Sequence, residues 1–312
     1  MEIKSKKVLV IGGANVDIGG VPAEGLRLYD SNPGVIGISA GGVGRNIAHN
    51  LSLLGTDVSF ITAFGGDFFA DYLKNNLRGL GIDYSMSVRA DGIRSSTYLY
   101  ITDGMGDMHA AVSDMDAVKS ITPAHIGQYK SAFHKFDAVV IDANLTEDTI
   151  AYIAGLCIEN NIPLYADPVS TAKAGKLKNV LDRVYCIKPN KIEAELLTGK
   201  SDPAEALTAL HASGVRYPFI SLGSDGILCL KIGTEGTAGT VCDSDLQILH
   251  IPAVPADTVD ATGAGDAAMA ALVYAGVCGM SGEESAKLAA KAGAVSVSCV
   301  GANNPNLGSI LT

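Results

Sequence analysis

The chain has 312 residues, 47% of them hydrophobic and only 18% charged, so a large buried core is available in one or two domains. A formal net charge of −10 argues against a nucleic-acid surface, which wants a basic patch, yet a local cradle for an anionic substrate stays open. Glycine is abundant at 36 residues, so many tight turns or close backbone approaches are expected.

Lys7-Val8-Leu9-Val10-Ile11-Gly12 reads as a fully buried strand ending in glycine. Asn15 and Asp17 follow it. Polar groups just beyond a strand's carboxyl end lie where open α/β sheets bind ligands, and two of them suit sugar hydroxyls; an Asx turn would use the same residues. Residues 16–39 are rich in Gly, Pro, Ser and Asp and break the pattern. Ala40-Gly41-Gly42-Val43-Gly44-Arg45-Asn46 then opens a helix marked by Val43, Ile47, Leu51 and Leu54, with Gly55 as its stop. Gly41 and Gly42 would let a ligand press onto the backbone, and Asn46 faces the same side one turn on. A flexible helix start is the plain alternative, and Arg45 reads as a solvated surface charge.

A strand is predicted over residues 58–63. Residues 95–112 read as a hairpin, with Tyr98-Leu99-Tyr100-Ile101 before a turn at Asp103-Gly104-Met105-Gly106. Together, inserts 16–39 and 95–112 are expected to form a small lid sheet over a site at the carboxyl ends of the main strands. Strands follow at 138–142, 164–167, 183–187 and 219–222, with helices at 147–159, 191–197 and 203–212. This alternation predicts an α/β fold with a mostly parallel central sheet covered on both faces. Asp142-Ala143-Asn144 and Asp167-Pro168 end strands and are candidates for a cleft rim.

Asn190 and Glu193 form a capping-box pattern; the functional alternative sets Glu193 beside a magnesium ion, through water, on nucleotide phosphates. The run from Ser221 through Gly223 to Gly226 is either a hairpin turn or a glycine-lined nucleotide wall. The most informative stretch is Asp260-Ala261-Thr262-Gly263-Ala264-Gly265-Asp266, ahead of an apolar helix at 264–275. Gly263, Ala264 and Gly265 bare the N–H groups of a helix start, where the dipole favours a phosphate, and Asp266 stands beside them as a base. A structural turn capped by Asp266 is the bland reading. A last helix is predicted at 283–297.

The six cysteines include no Cys-x-x-Cys pair and read as small buried apolar residues of a reducing compartment. The histidines form no metal-spaced cluster. The apolar run 8–11 is too short for a signal sequence, and no apolar stretch approaches the ~20 residues of a membrane span, so a cytoplasmic protein is expected.

In their order, these motifs resemble the PfkB, or ribokinase-like, family of sugar and nucleoside kinases over nearly the full length. Residues 40–48 resemble its first signature, Asp260 to Asp266 its second, and Asn190 to Glu193 its Asn-x-x-Glu magnesium motif. The resemblance implies one domain over residues 1–312, a three-layer sandwich of about nine strands with a β lid, use of ATP and Mg²⁺, and homodimers through the lids. It implies that Asp266 is the catalytic base and Gly263 to Gly265 the anion hole. Asn15, Asp17, Gly41, Gly42, Asn46 and Asn144 would bind the sugar, Asn144 standing where several relatives have an acid. Asn190, Glu193, Ser221, Gly223, Gly226 and Asn304 would bind the nucleotide. Asp260 and Thr262 would start a monovalent-cation loop for K⁺, although Asn303-Asn304-Pro305 departs from the ribokinase form. Within the family the likeness is nearest to pseudouridine kinases, through Asp30-Ser31-Asn32-Pro33-Gly34, residues 41–48, Asp114-Met115-Asp116 and Asp167-Pro168-Val169-Ser170. That implies phosphorylation of a ribosyl 5′-hydroxyl. Kinases for ribose, a purine nucleoside or a keto-sugar acid, and a non-catalytic nucleoside sensor, are the alternatives.

Overall fold

The computed structural model describes residues 5–103, 108–231 and 246–312; Gly104, Met105 and Gly106 of the predicted turn, and Cys242, lie outside them. In chain order, β1 (Lys7–Ile11) leads into β2 (Asn15–Pro22), β3 (Gly34–Gly41), α1 (Val43–Leu53), β4 (Asp57–Ile61), β5 (Ala63–Phe64) and α2 (Phe68–Gly79). Then come β6 (Val88–Arg89), β7 (Thr97–Thr102), β8 (Met108–Asp114), α3 (Pro123–Gly127), β9 (Ala138–Asp142), α4 (Glu147–Glu159), β10 (Leu164–Asp167) and α5 (Thr171–Ala174). The last part holds β11 (Cys186–Ile187), α6 (Lys191–Thr198), α7 (Pro203–Ala212), β12 (Tyr217–Ser221), β13 (Ile227–Lys231), β14 (Gln247–Ile251), α8 (Ala264–Val277) and α9 (Gly282–Val297).

The main sheet runs β14-β13-β12-β11-β10-β9-β1-β4, parallel except that β13 opposes both its neighbours. Its central strands are buried on both faces, as their unbroken apolar runs require. Side chains alternate between two cores. Val8, Val10 and Val140 join α1, α2, α8 and α9 on one face; Leu9, Ile11, Val139 and Ile141 join α3, α4, α6 and α7 on the other. This is the expected three-layer α/β sandwich.

The main sheet has eight strands among the described residues, one fewer than the resemblance implies. The edge beyond β4 explains the difference. Phe60 N–H donates to Asp83 O at 2.7 Å and Val88 N–H to Thr62 O at 2.9 Å, but a turn closed by Ser87 N–H to Tyr84 O breaks the strand between them. The predicted strand 183–187 is also shorter, because the chain up to Arg183 is 3₁₀-helical and only Cys186 and Ile187 pair. Helix α2 has no counterpart in the predicted elements. Its signals are the cap at Asp67, which accepts from Ala70 N–H, and buried Ala70, Leu73 and Leu77.

The two inserts form one lid sheet, ordered β3-β2-β7-β8. β2 leaves three residues after β1, and β3 returns straight into α1, so the lid is rooted at the carboxyl end of the main strands. Of the described cysteines, Cys157, Cys186 and Cys229 are buried as expected, whereas Cys278 is exposed and Cys299 half-buried; Cys278 lies at the open end of α8. Among the described residues no helix is long and apolar enough to cross a membrane.

Candidate active site

Helix α8 begins where the β-strand ends converge. Gly263 caps it in the left-handed region (φ 79°), and a Cβ there would collide with the backbone of Ala302, so only glycine fits. Ala267 N–H makes a turn bond back to Gly263 O at 2.9 Å. The N–H groups of Gly265 and Asp266 belong to the unpaired first turn, facing out of the helix start. From Ala267 to Val273 every residue is buried, which anchors this turn against the sheet.

Asp266 accepts from Asn46 Nδ2 at 2.8 Å, across 220 residues of chain. Its pKa is pushed up to about 8, first by burial and then by the negative charge of Asp167; the Asn46 bond and the Lys188 charge oppose this. Asp167 is itself pushed up to about 6, mainly by burial. Lys188 is buried beside both, its Nζ 3.6 Å from where a Cβ on Gly265 would lie. An elevated carboxylate, an enclosed ammonium and a helix N-terminus thus share one spot, which can hold an anion and take up a proton.

On the lid side, Asn15 Nδ2 donates to Asp17 Oδ1 at 2.5 Å. Burial raises the Asp17 pKa from its ordinary value. A Cβ on Gly41 would fall on the Asp17 carboxylate. Gly42 (φ 98°) would clash with Gly13 O at 2.6 Å. These glycines therefore make room for Asp17 and for the loop after β1; the space above them is not simply left for a ligand. Asp142, fully buried, accepts the N–H groups of Gly13 and Gly44, each at 2.8 Å, and clamps that loop to α1. Asn144 lies beside Gly13, with its Oδ1 held by Lys173 Nζ at 2.6 Å.

A cleft of about 770 Å³ continues from Asp266 and Gly265. Asn190, Glu193, Ser221, Gly223 and Gly226 all line it. Both readings of these residues hold in part. Asn190 and Glu193 form a complete capping box: Asn190 N–H donates to Glu193 Oε2 and Glu193 N–H to Asn190 Oδ1, each at 2.9 Å, so Oε1 is not part of the box. Ser221 to Gly226 is the turn of the β12–β13 hairpin and also a cleft wall. The far wall is apolar, with Val254, Pro255, Ala290, Ala294 and Val297, and suits a flat aromatic base. Val169, at φ 67°, lines the cleft in a strained conformation held by Asp167 Oδ1 on its N–H at 2.8 Å.

Two placements, those of Asn304 and Arg45, differ from the sequence reading, and that of Asp260 leaves it open. Asn304 is outside the cleft lining; its Nδ2 donates to Val295 O at 2.6 Å and its Oδ1 accepts from Asn306 N–H, so its amide is spent on the turn after α9. Asp260 ties its loop together, accepting from Thr262 N–H at 2.8 Å and Gly301 N–H at 3.0 Å, while the Thr262 side chain is exposed. Arg45 is not a solvated charge but is only 5% exposed, because neutral acceptors from four segments enclose its guanidinium. Sequence reasoning also passed over the charge of Lys188 and the clamp of Asp142. The one available signal was position: each ends or directly follows a central strand.

Residues 5–307 match the pfkB family of carbohydrate kinases. The chain belongs to that family. It is therefore an ATP-dependent sugar or nucleoside kinase with a ribokinase-like fold. It is 33% identical to a pseudouridine kinase of Escherichia coli (strain K12), over 96% of this chain and 93% of that one. A carbohydrate kinase from Agrobacterium tumefaciens superposes with a TM-score of 0.83 at 30% identity, covering 98% of this chain and 95% of the other. Arabidopsis thaliana ribokinase complexed with ribose and ATP superposes at 0.82 with 20% identity, over 98% and 99% of the two chains, which shows the shared fold.

Proposed function

We propose that this kinase transfers the γ-phosphate of ATP to the 5′-hydroxyl of a ribosyl compound, pseudouridine first among them. The observation that supports it most is the bond from Asn46 to Asp266, which brings a sugar-side amide onto a carboxylate at an anion-binding helix start. In this reading Asn15, Asp17 and Asn46 hold the ribose hydroxyls, with Asn144 at the rim. Asp266 takes the 5′-proton as the oxygen attacks in line. The N–H groups of the turn from Gly263 to Asp266, with Lys188, stabilise the charge of the transferring group. Adenine lies against the apolar wall of the cleft.

Glu193 lines that cleft, and its Oε1, outside the capping bond, fits the water-mediated contact that Mg²⁺ favours. Bound magnesium would neutralise phosphate charge there. A potassium ion would take the loop that Asp260 ties to Gly301, next to Thr262.

The pseudouridine reading rests on the likeness to the Escherichia coli enzyme. Its test is ADP release with pseudouridine, uridine, adenosine and ribose in competition. Pseudouridine has an extra ring N–H next to the sugar, and a buried acceptor facing it goes unpaired with uridine, at a cost of about 1–3 kcal/mol. Pseudouridine is expected to exceed uridine and ribose in kcat/KM by roughly tenfold or more. A win for ribose or adenosine would keep the kinase and discard the pseudouridine substrate. No turnover with any of them, alongside nucleoside binding, would support the sensor alternative.

A further inference from the structure

Arg45, the third residue of α1, is a buried cation held by uncharged groups. Its Nη1 donates to Ala40 O at 3.1 Å, Asn46 Oδ1 at 3.0 Å and Asn303 Oδ1 at 2.6 Å. Its Nε and Nη2 both reach Asn76 Oδ1, at 3.2 and 2.9 Å, and Nη2 faces His49 Nδ1 at 3.3 Å. Burial, then the Arg45 charge, pushes the His49 pKa down to about 4, so the ring is neutral and Nδ1 accepts. Among the described residues no carboxylate pairs with the guanidinium within 4.0 Å. Buried charges are ordinarily paired. This one is instead aimed, through an amide, at Asp266.

A guanidinium has donors and no acceptor. Asn46 must therefore turn its carbonyl oxygen to Arg45, which leaves its NH₂ for Asp266 Oδ2. The reversed amide would set donor against donor on one side and carbonyl against carboxylate on the other. Asn303 is oriented in the same way: its Oδ1 meets Arg45, and its Nδ2 donates to Asn46 O at 3.1 Å and Asn50 Oδ1 at 2.9 Å. The departure from the ribokinase form at Asn303 thus meets Arg45 directly.

We infer that Arg45 is a positioning residue: with Asn303 it locks the Asn46 amide so that its NH₂ stays on Asp266 and favours the carboxylate, with the other oxygen left to accept the substrate proton. This rests on the reading of Asp266 as the base. The charged groups around Asp266 are Asp167 from β10, Lys188 beyond β11 and Asp142 from β9; Asp17, from the lid, faces Arg45. Of these only Lys188 joins Arg45 and Asn46 in favouring the carboxylate, so the lock has a consequence in proton affinity. A plain strut joining α1, α2 and the lid would have none.

The test compares Arg45→Met, which keeps the apolar stem and removes every donor, and Asn303→Ala, which removes one arm of the lock, with the wild type. kcat/KM for the nucleoside is followed against pH at saturating ATP. Arg45→Met is expected to lose roughly tenfold to a hundredfold at neutral pH, the worth of a hydrogen bond to a charged group. Its acid limb should move upward by about one to two pH units, as one lost interaction of that size requires, and the loss should shrink at high pH with KM for ATP unchanged. Asn303→Ala should shift the limb the same way by less, and it reads the lock even if Arg45→Met fails to fold. Acid limbs that stay at the wild-type position in the folded variants overturn the inference, whatever the loss of rate. Asp266→Asn in the same series separates the two layers. If Asp266→Asn stays active, the base reading fails; if it is inactive while the limbs stay put, only the role of Arg45 fails.

Discussion

In the proposed mechanism Asp266 is the base, and its environment works against its charge. Burial and Asp167 raise its pKa to about 8, so the carboxylate needed as base is scarce in the free enzyme at neutral pH. kcat/KM is expected to rise through a limb near pH 8, because that parameter reports the free enzyme. Asp266→Asn should lower turnover by about 10²–10⁴-fold with ATP binding little changed. Stability runs the other way. Between the ordinary carboxylate value and 8 the folded state holds a proton that the unfolded state has released, so stability falls as pH rises across that window. Asp266→Asn should therefore melt higher than the wild type at pH 8 and similarly at pH 4, which thermal scans at the two values would show. Glu193 carries a second residue-scale test. Glu193→Gln should raise the Mg²⁺ concentration for half-maximal rate; a loss of about 1 kcal/mol of stability with unchanged Mg²⁺ dependence would leave it only its capping box.

At the scale of elements, the start of α8 depends on one backbone conformation. Gly263→Ala places a Cβ in the left-handed region and against the Ala302 backbone. It is expected to cost about 1–3 kcal/mol and, by displacing the N–H turn, roughly 10² in kcat. Full activity of this variant would mean that the turn does not hold the phosphate. Elements with local signals were legible in advance. β9, β10, α4 and α7 have the predicted bounds, since Thr146 and Asp202 cap their helices and both strands are unbroken apolar runs. α2 was not, because only Ala70, Leu73 and Leu77 of it are buried and its cap, Asp67, is shared with Ser95 across 28 residues.

At the scale of the whole molecule, the lid presents Val35, Ile36, Ile38, Met108 and Val112 to solvent. Exposed apolar side chains on both edge strands of a β-sheet mark an association surface. We expect a homodimer through the lids. Sedimentation at micromolar concentration should give a dimer for the wild type and a monomer for Ile36→Glu; a wild-type monomer would remove the lid as the interface. The sequence by itself determined the α/β alternation, the two lid inserts and the residues that cap and turn, because strand burial, helix capping and glycine geometry are set by neighbours within a few positions. It also offered Asn46, Asn190, Glu193 and Asp266 as candidates for the chemistry. Only the tertiary structure decided that Asn46 bonds Asp266, that Arg45 is buried on Asn303 across 258 residues, that Asp142 clamps the first loop, and that Asn304 is spent outside the cleft. Those outcomes depend on which distant groups share a desolvated space, and both the direction of a hydrogen bond and the proton affinity of a carboxylate are set there.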